Sequence, residues 1–247
     1  MAGRTPPRWT TRAARARHRE FWEAAHSEGW SRSAGPSELA RWAEEFLPPD
    51  GRGLRLLELG YGTGADLPVF LARGFTVAGI ELARTAAAAA RARSRELPRP
   101  EGAPRPILDV GDALEFLATQ PDGSASVVYA NLFYSMAVPI AEERRRWREA
   151  YRVLAPGGLH IYSVRTTADA WAGVGRPLAP SVYDPGEAGP PLRFFRSSEL
   201  DRRNRGKFQP MARREGTEGR GRYARQMLYA VDRKIPTPPG RAGDRKG

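Results

Sequence analysis

Two carboxylates, Glu58 and Glu81, bracket three closely spaced glycines, Gly60, Gly62 and Gly64, in the segment LRLLELGYGTGADLPVFLARGFTVAGIE, residues 54–81. Glycines at a turn between a strand and a helix accept positive φ and let backbone N–H groups come close to a ligand. An acid closing the following strand lies where a ribose diol would bind. Glu58 stands inside the strand ahead of the loop. A carboxylate buried there needs a partner; a cationic ligand group would supply one, whereas a pyrophosphate would be repelled. The bare pattern from Gly60 to Ala65 also fits G-x-G-x-x-A, with the acid about twenty residues on, as in dinucleotide sites. A nicotinamide dinucleotide therefore remains the alternative occupant at this stage.

The elements that must position these groups follow from apolar spacing. Leu54, Leu56, Leu57 and Leu59 read as a buried strand, Leu67, Phe70 and Leu71 as a helix, and 75–80 as the next strand. Upstream, residues 20–28 read as a helix carrying Phe21, Trp22 and Ala25. After Trp30 and the loop SRSAGPS, Ser37 caps a second helix with Leu39, Trp42, Phe46 and Leu47 on one side. Downstream come an Ala-rich helix (85–97), a strand (107–110), a helix (113–118), a strand (127–130), a helix (142–154) and a strand (159–164). A long Pro/Gly-rich segment covers 166–191, a short helix starts at Ser197 or Ser198, and 207–214 with 222–232 form a closing strand pair. Strands alternating with helices imply right-handed crossovers and a mostly parallel sheet, an α/β fold.

Composition narrows the chemistry. The 247 residues suit one domain with a single core. With no Cys there are no disulfides, thiolate metal sites or cysteine nucleophiles, and three histidines (His18, His26, His160) are too few for a histidine-rich metal site. No apolar run reaches membrane-spanning length and the N-terminus has no signal-peptide core, so a cytoplasmic protein without a membrane partner is expected. The net charge of +12 suggests nucleic acid, but six Arg and no acid in 1–19 contribute +6 and residues 233–247 contribute +4. The middle holds only the remaining +2, which does not look like an RNA-binding face. The expected organisation is a disordered basic arm (1–19), a folded domain (20–234) whose first part (20–50) is a helical cover, and a disordered tail (235–247).

ELGYGTG followed by GIE resembles the first two motifs of the class I S-adenosylmethionine-dependent methyltransferases. The resemblance continues in order: VGDALEF (110–116) is similar to the third motif, SVVYANLFYSM (126–136) to the fourth strand and its outlet loop, and REAYRVLAPGGLHIYSVR (148–165) to the helix, turn and fifth strand that follow. It implies a Rossmann-like sheet with helices on both faces and an antiparallel last strand. It also implies S-adenosylmethionine as cofactor. On that resemblance Gly60, Gly62 and Gly64 cradle the methionine and ribose, Glu58 serves the amino end, and Tyr61 narrows the methionine end. Glu81 takes the ribose hydroxyls, Leu82 covers the adenine, Asp112 accepts from the adenine amino group with Ala113 supplying backbone, and Asn131 and Leu132 lie near the reactive methyl. The segment FWEAAHSEGW…GPSELARW resembles the N-terminal cover of thiopurine- and tellurite-type small-molecule methyltransferases, in which Trp22 or Trp30 would close over the cofactor.

Methyl transfer from a sulfonium needs alignment and exclusion of water rather than a fixed catalytic triad. Ligands of open α/β sheets lie beyond the carboxyl ends of the strands, which places residues 131–136 and 165–171 around the acceptor. Phe133, Tyr134, Tyr162, Trp171 and Tyr183 are candidate apolar walls, and Arg165 with Asp169 either fixes a polar or anionic acceptor or pairs internally. His160, inside a strand, reads as structural; His26, beside Trp22 and Trp30, is the candidate general base. The expected partner is a small-molecule acceptor, with the oligomeric state open. An RNA methyltransferase using the basic ends, or a cofactor-binding protein that transfers no methyl, are the alternatives. One departure stands out: SSELDRRNRGKF, ahead of the closing strands, offers only Leu200 as a large apolar residue for its helix.

Overall fold

The computed structural model describes residues 9–29, 35–221 and 224–236. Five strands, β1 (Arg55–Leu59), β2 (Thr76–Glu81), β3 (Ile107–Val110), β4 (Ala125–Ala130) and β5 (Leu154–Arg165), run parallel. Three short ones, β6 (Arg176–Ala179), β7 (Val182–Asp184) and β8 (Leu192–Arg193), make a separate antiparallel sheet. The last two, β9 (Phe208–Glu218) and β10 (Arg225–Lys234), rejoin the main sheet, whose order is β3-β2-β1-β4-β5-β10-β9. β10 runs antiparallel to β5 and to β9. Helices α1 (Thr11–Ser27), α2 (Glu38–Ala43), α3 (Leu67–Ala72), α4 (Arg84–Glu96), α5 (Ala113–Ala118), α6 (Ile140–Val153) and α7 (Ser197–Asn204) complete the fold.

Both faces of the sheet are buried, and β1 shows how. Leu56 enters a core with Leu39, Leu67, Phe70 and Ala90, while Leu57 and Leu59 enter the opposite core with Phe116, Trp147 and Leu200. Alternation with period two sends successive side chains to the two helical layers. Each fully buried large side chain of this kind contributes about 1.5–3 kcal/mol. α7 is short, yet its one large apolar residue, Leu200, is fully buried. The neighbours of β1, β2 and β4, leave it in opposite directions, so the crevice of this sheet opens past the carboxyl end of β1.

Two segments differ from expectation. Helix α1 begins at Thr11, inside the arm expected to be disordered. Thr10 caps it by accepting from Ala13 N, and the acids its arginines lack locally are supplied across space by Asp112 and Glu142. The Pro/Gly-rich stretch, for which no element was expected, contains β6 and β7, and β8 follows it; all three are too short to show periodicity, and Ser181 at φ 56 forms the turn between the first two. The remainder of the expected basic arm (1–8), Trp30 and residues 237–247 of the expected tail lie outside the described residues. Among the described residues no helix is long and apolar enough to cross a membrane.

Candidate functional site

A cavity of about 1130 Å³ opens at the carboxyl edge of the parallel strands. Its floor starts at the turn after β1, where Gly60 and Gly62 take φ of 73° and 53°. A Cβ at Gly62 would meet no protein atom within 4 Å, so this backbone lies open to the cavity. Glu81, at the end of β2, is held by three amides. Its Oε2 accepts from Gly62 N at 2.9 Å, and its Oε1 accepts from Leu82 N at 2.7 Å and Ala83 N at 2.9 Å. These bonds fix the carboxylate plane and draw its pKa down, but burial outweighs them and the pKa is raised.

Glu58 is the informative neighbour. It is 3% exposed, lines the cavity, and its Oε2 has no hydrogen-bond partner. Burial, with Asp66 and Glu81 close by, pushes its pKa well above the usual carboxylate value. Asp66 faces the other way: its Oδ1 accepts from Ser37 N (2.6 Å) and its Oδ2 from Ser37 Oγ (2.9 Å) and Tyr129 OH (2.7 Å), which ties the start of α2 to the floor. A buried orphan carboxylate is costly unless a cation joins it. The ammonium group of a bound amino-acid moiety fits that vacancy in the hydrogen bonding.

Asp112 caps α5 through Oδ1, accepting from Leu114 N at 2.9 Å and Glu115 N at 3.2 Å, and its Oδ2 is 2.9 Å from Arg15 Nε of α1. Asn131 follows β4. Its Oδ1 accepts from Ser163 Oγ at 2.6 Å, and the same Oγ accepts from Leu132 N at 2.9 Å, which holds Leu132 at φ 58. Leu82, Ala113, Asn131 and Leu132 all line the cavity.

The cover is α1, which bonds to four separate parts of the rim. Glu23 caps α4 in trans, accepting from Arg84 N (2.6 Å) and from Thr85 N and Oγ1 (3.1 and 2.6 Å). Arg15 reaches Asp112, His18 Nε2 lies 2.7 Å from Ala137 O, and Arg17 donates to Gly186 O beside the small sheet. Trp22 and His26 line the cavity from this helix, with their ring centres 5.7 Å apart. Burial lowers the pKa of His26, with Glu23 opposing, so the ring is neutral near pH 7 and able to accept a proton.

Two expectations are corrected. Tyr134 does not line the cavity: it is 2% exposed, its hydroxyl is 2.9 Å from His160 Nε2, and its ring stacks on Trp147 at 4.1 Å. Burial raises its pKa, and it is a core residue. Gly64 is required for packing rather than ligand approach, because a Cβ there would lie 2.7 Å from Leu67 Cδ1 and 3.1 Å from Ala90 Cβ. Tyr61 lines the cavity, with its hydroxyl donating to Asp109 O on β3 at 2.8 Å and its ring packing over Gly79. Of the candidate apolar walls, Phe133 and Trp171 line the cavity; Tyr162 and Tyr183 do not, Tyr162 being bonded to Asp232 in the core and Tyr183 packing near Phe194. Asp66, Ser163, Arg15 and Glu23 escaped the sequence reading. Only Asp66 left a trace, as an acid directly ahead of the Leu67-Pro68 helix start.

The fold is an α/β sheet of the Rossmann-like class, and comparison with known proteins shows what it is similar to. Residues 57–162 match the family model described as Methyltransferase domain. In structure the chain is similar to the 1,6-didemethyltoxoflavin-N1-methyltransferase of Burkholderia thailandensis, solved with 1,6-didemethyltoxoflavin and S-adenosylhomocysteine. The two share 19% identity over 94% of this chain and 93% of that one, with a TM-score of 0.70. A methyltransferase of Methanosarcina mazei aligns at 19% identity over 78% of this chain and 97% of that one, TM-score 0.64. The cyclase SpnF aligns at 21% identity over 80% of each chain, TM-score 0.61. No curated protein sequence matches the chain at a significant level. The domain matched over residues 57–162 and the fold shared with these structures are those of the class I S-adenosylmethionine-dependent methyltransferases.

Proposed function

We propose that the protein transfers a methyl group from S-adenosylmethionine to a small-molecule acceptor enclosed beneath α1. The observation that carries this reading is the pair of cavity-lining carboxylates: Glu81, held in place by the Gly62 amide, and Glu58, buried with an oxygen unpartnered. Glu81 accepts from the ribose, Glu58 receives the ammonium group, Asp112 and Ala113 bound the adenine, and Asn131 and Leu132 border the methyl. Bound there, the cofactor would supply a sulfonium methyl to the acceptor's nucleophile, and the thioether would leave without needing an acid. The chain's own task is to align the acceptor and exclude water. Trp22 and His26 on α1 close over this space, and His26 removes a proton from an acceptor that carries one.

A small acceptor is supported by volume and enclosure. Ligand pockets run to about 300–1,000 Å³ for a single molecule, and this cavity, at about 1130 Å³, exceeds that upper bound under a helical roof. Calorimetric titration with S-adenosylhomocysteine and, separately, NADH tests the cofactor. Incubation with methyl-labelled S-adenosylmethionine and a metabolite panel tests transfer. Binding of NADH in preference to the adenosyl compound overturns the reading. The likeness to a cyclase supports one second reading, a reaction on the same fold without methyl transfer. Stoichiometric release of S-adenosylhomocysteine with product distinguishes the two.

A further inference from the structure

We infer that the acceptor carries an oxyanion and that Arg165 is the residue that receives it; this rests on the methyl-transfer reading above. Arg165 ends β5, is 8% exposed and lines the cavity. Its Nε and Nη2 donate to Asp169 Oδ2 and Oδ1 at 3.0 and 2.9 Å, and its own backbone N donates to Ser135 Oγ at 2.7 Å. Asp169 is saturated: Oδ1 also accepts from Trp171 N and Oδ2 from Gln226 N, both at 2.9 Å. A carboxylate offers about four lone-pair sites, so the acid has nothing left for a ligand. What the buried pair still offers is donors, chiefly Nη1 of Arg165, which has no hydrogen-bond partner among the described residues, the guanidinium lying 5.6 Å from the centre of the Phe194 ring. A guanidinium held rigid from behind, with its remaining edge toward a cavity, is built to bind an oxyanion.

The surroundings agree. Met227 lies opposite Arg165 in the β5–β10 register, so Arg225, two residues from Met227, presents its side chain on the same face. Arg225 pairs loosely with Glu218 at 3.3 Å and keeps its Nε without a partner. Gly216, opposite Met227 on β9, leaves that face open, for a Cβ there would meet only Tyr229 at 3.6 Å. The acids at this end are occupied: Glu218 also accepts from Tyr229 OH (2.8 Å), and Glu38 is shared by Arg41 (3.0 Å) and Arg214 (3.4 Å). Arg165, Arg214 and Arg225 line the cavity together, as do Glu58, Asp66 and Glu81, while Arg15 and Arg146 also line it and are paired with Asp112 and Glu142. Phe133 and Trp171 offer flat apolar walls for a planar body.

The test uses the full chain saturated with S-adenosylhomocysteine, and three aromatic acids with their methyl esters: salicylate, 4-hydroxybenzoate and anthranilate. Dissociation constants are measured by NMR titration. At least one acid should bind tenfold or more tightly than its ester. In R165M/D169N, which removes both charges so that neither is left buried alone, the preference should fall below twofold with S-adenosylhomocysteine affinity within twofold of wild type. If that variant fails to bind S-adenosylhomocysteine, R165K decides, since it keeps the charge and loses the fork; acid affinity should drop fivefold or more and ester affinity should not change. No acid preference in the wild type, or a preference that survives in the variants, overturns the inference. Failure of the wild type to bind S-adenosylhomocysteine strikes instead at the methyl-transfer reading.

Discussion

Replacing Glu58 by Gln should make the protein more stable and a poorer binder at once. In the ligand-free protein the ionised side chain is buried, lacks a partner at Oε2 and faces Asp66 and Glu81. An unsatisfied buried polar group costs about 1–3 kcal/mol, more if charged. Glutamine keeps the shape and removes the charge, so a gain of about 2 kcal/mol is expected. In a protein of this size that raises Tm by roughly 4–8 °C. The sign of the pH dependence follows from the raised pKa. The wild-type side chain is protonated, and harmless, below its unfolded value, and its cost builds up as pH rises from the unfolded toward the raised folded value. The advantage of the variant should therefore vanish near pH 4.5 and grow as pH rises above it. Binding moves the other way: losing one charged hydrogen bond to the ammonium group, worth about 1.5–3 kcal/mol, weakens S-adenosylhomocysteine roughly 10- to 150-fold. Scanning calorimetry at several pH values and isothermal titration measure both. A variant that melts lower at pH 8 and binds as tightly as wild type would refute the account of Glu58.

Five further outcomes are expected. Gly64→Ala forces φ of 73° on a residue with a Cβ and drives that Cβ into Leu67 and Ala90, costing about 1–3 kcal/mol in a chemical denaturation series. Gly62→Ala has the φ strain without the clash, so its larger effect should be on cofactor affinity. If His26 is the base, kcat/KM should fall on the acid side below about pH 6.5, and His26→Asn should lower the rate and flatten that limb. His18 and His160, held by burial at about 4 and about 3, stay neutral in the folded protein while the unfolded chain takes up protons below the ordinary histidine value of 6.5. Stability is thus lost as pH falls from 6.5 toward 4, each histidine contributing about 1.4 kcal/mol per pH unit. His160→Asn should remove its share of the slope in urea titrations at pH 7 and 5.5. Hydrogen exchange in α1 should be faster than in α4 and slow down when S-adenosylhomocysteine binds.

What the sequence discloses is what contiguous spacing encodes. Gly60, Gly62, Glu58 and Glu81 lie within one strand–turn–helix–strand unit, where chain geometry fixes their relative places, and the structure brings them to one cavity. Spacing does not say which way a side chain turns after an irregular step. Leu132 at φ 58 and the short helical turn Phe133–Ser135 swing Tyr134 into the core against Trp147 and His160. Contacts between distant segments are equally silent. Arg15 is 97 positions from Asp112, and the arginine-rich start looks unfoldable only while those partners are out of view. Charge without local counter-charge reads as disorder; here the counter-charge sits on α5 and α6.

The manner in which α1 is held has a functional consequence. Only Ala14, His18 and Ala25 of its 17 residues are buried, so little apolar surface fastens it. Its attachments are polar and fall on residues that also bound the ligands: Asp112 at the adenine, the amino end of α4 just past Glu81 and Leu82, and the carbonyls beside the small sheet. Polar bonds at a rim exchange readily for bonds to water, so this element opens at a lower free-energy cost than the sheet beneath it. Ligands that firm up Asp112 and Glu81 firm up the roof as well. On the proposed site, closure would be coupled to cofactor occupancy, and water would be excluded when a methyl donor is in place to need it.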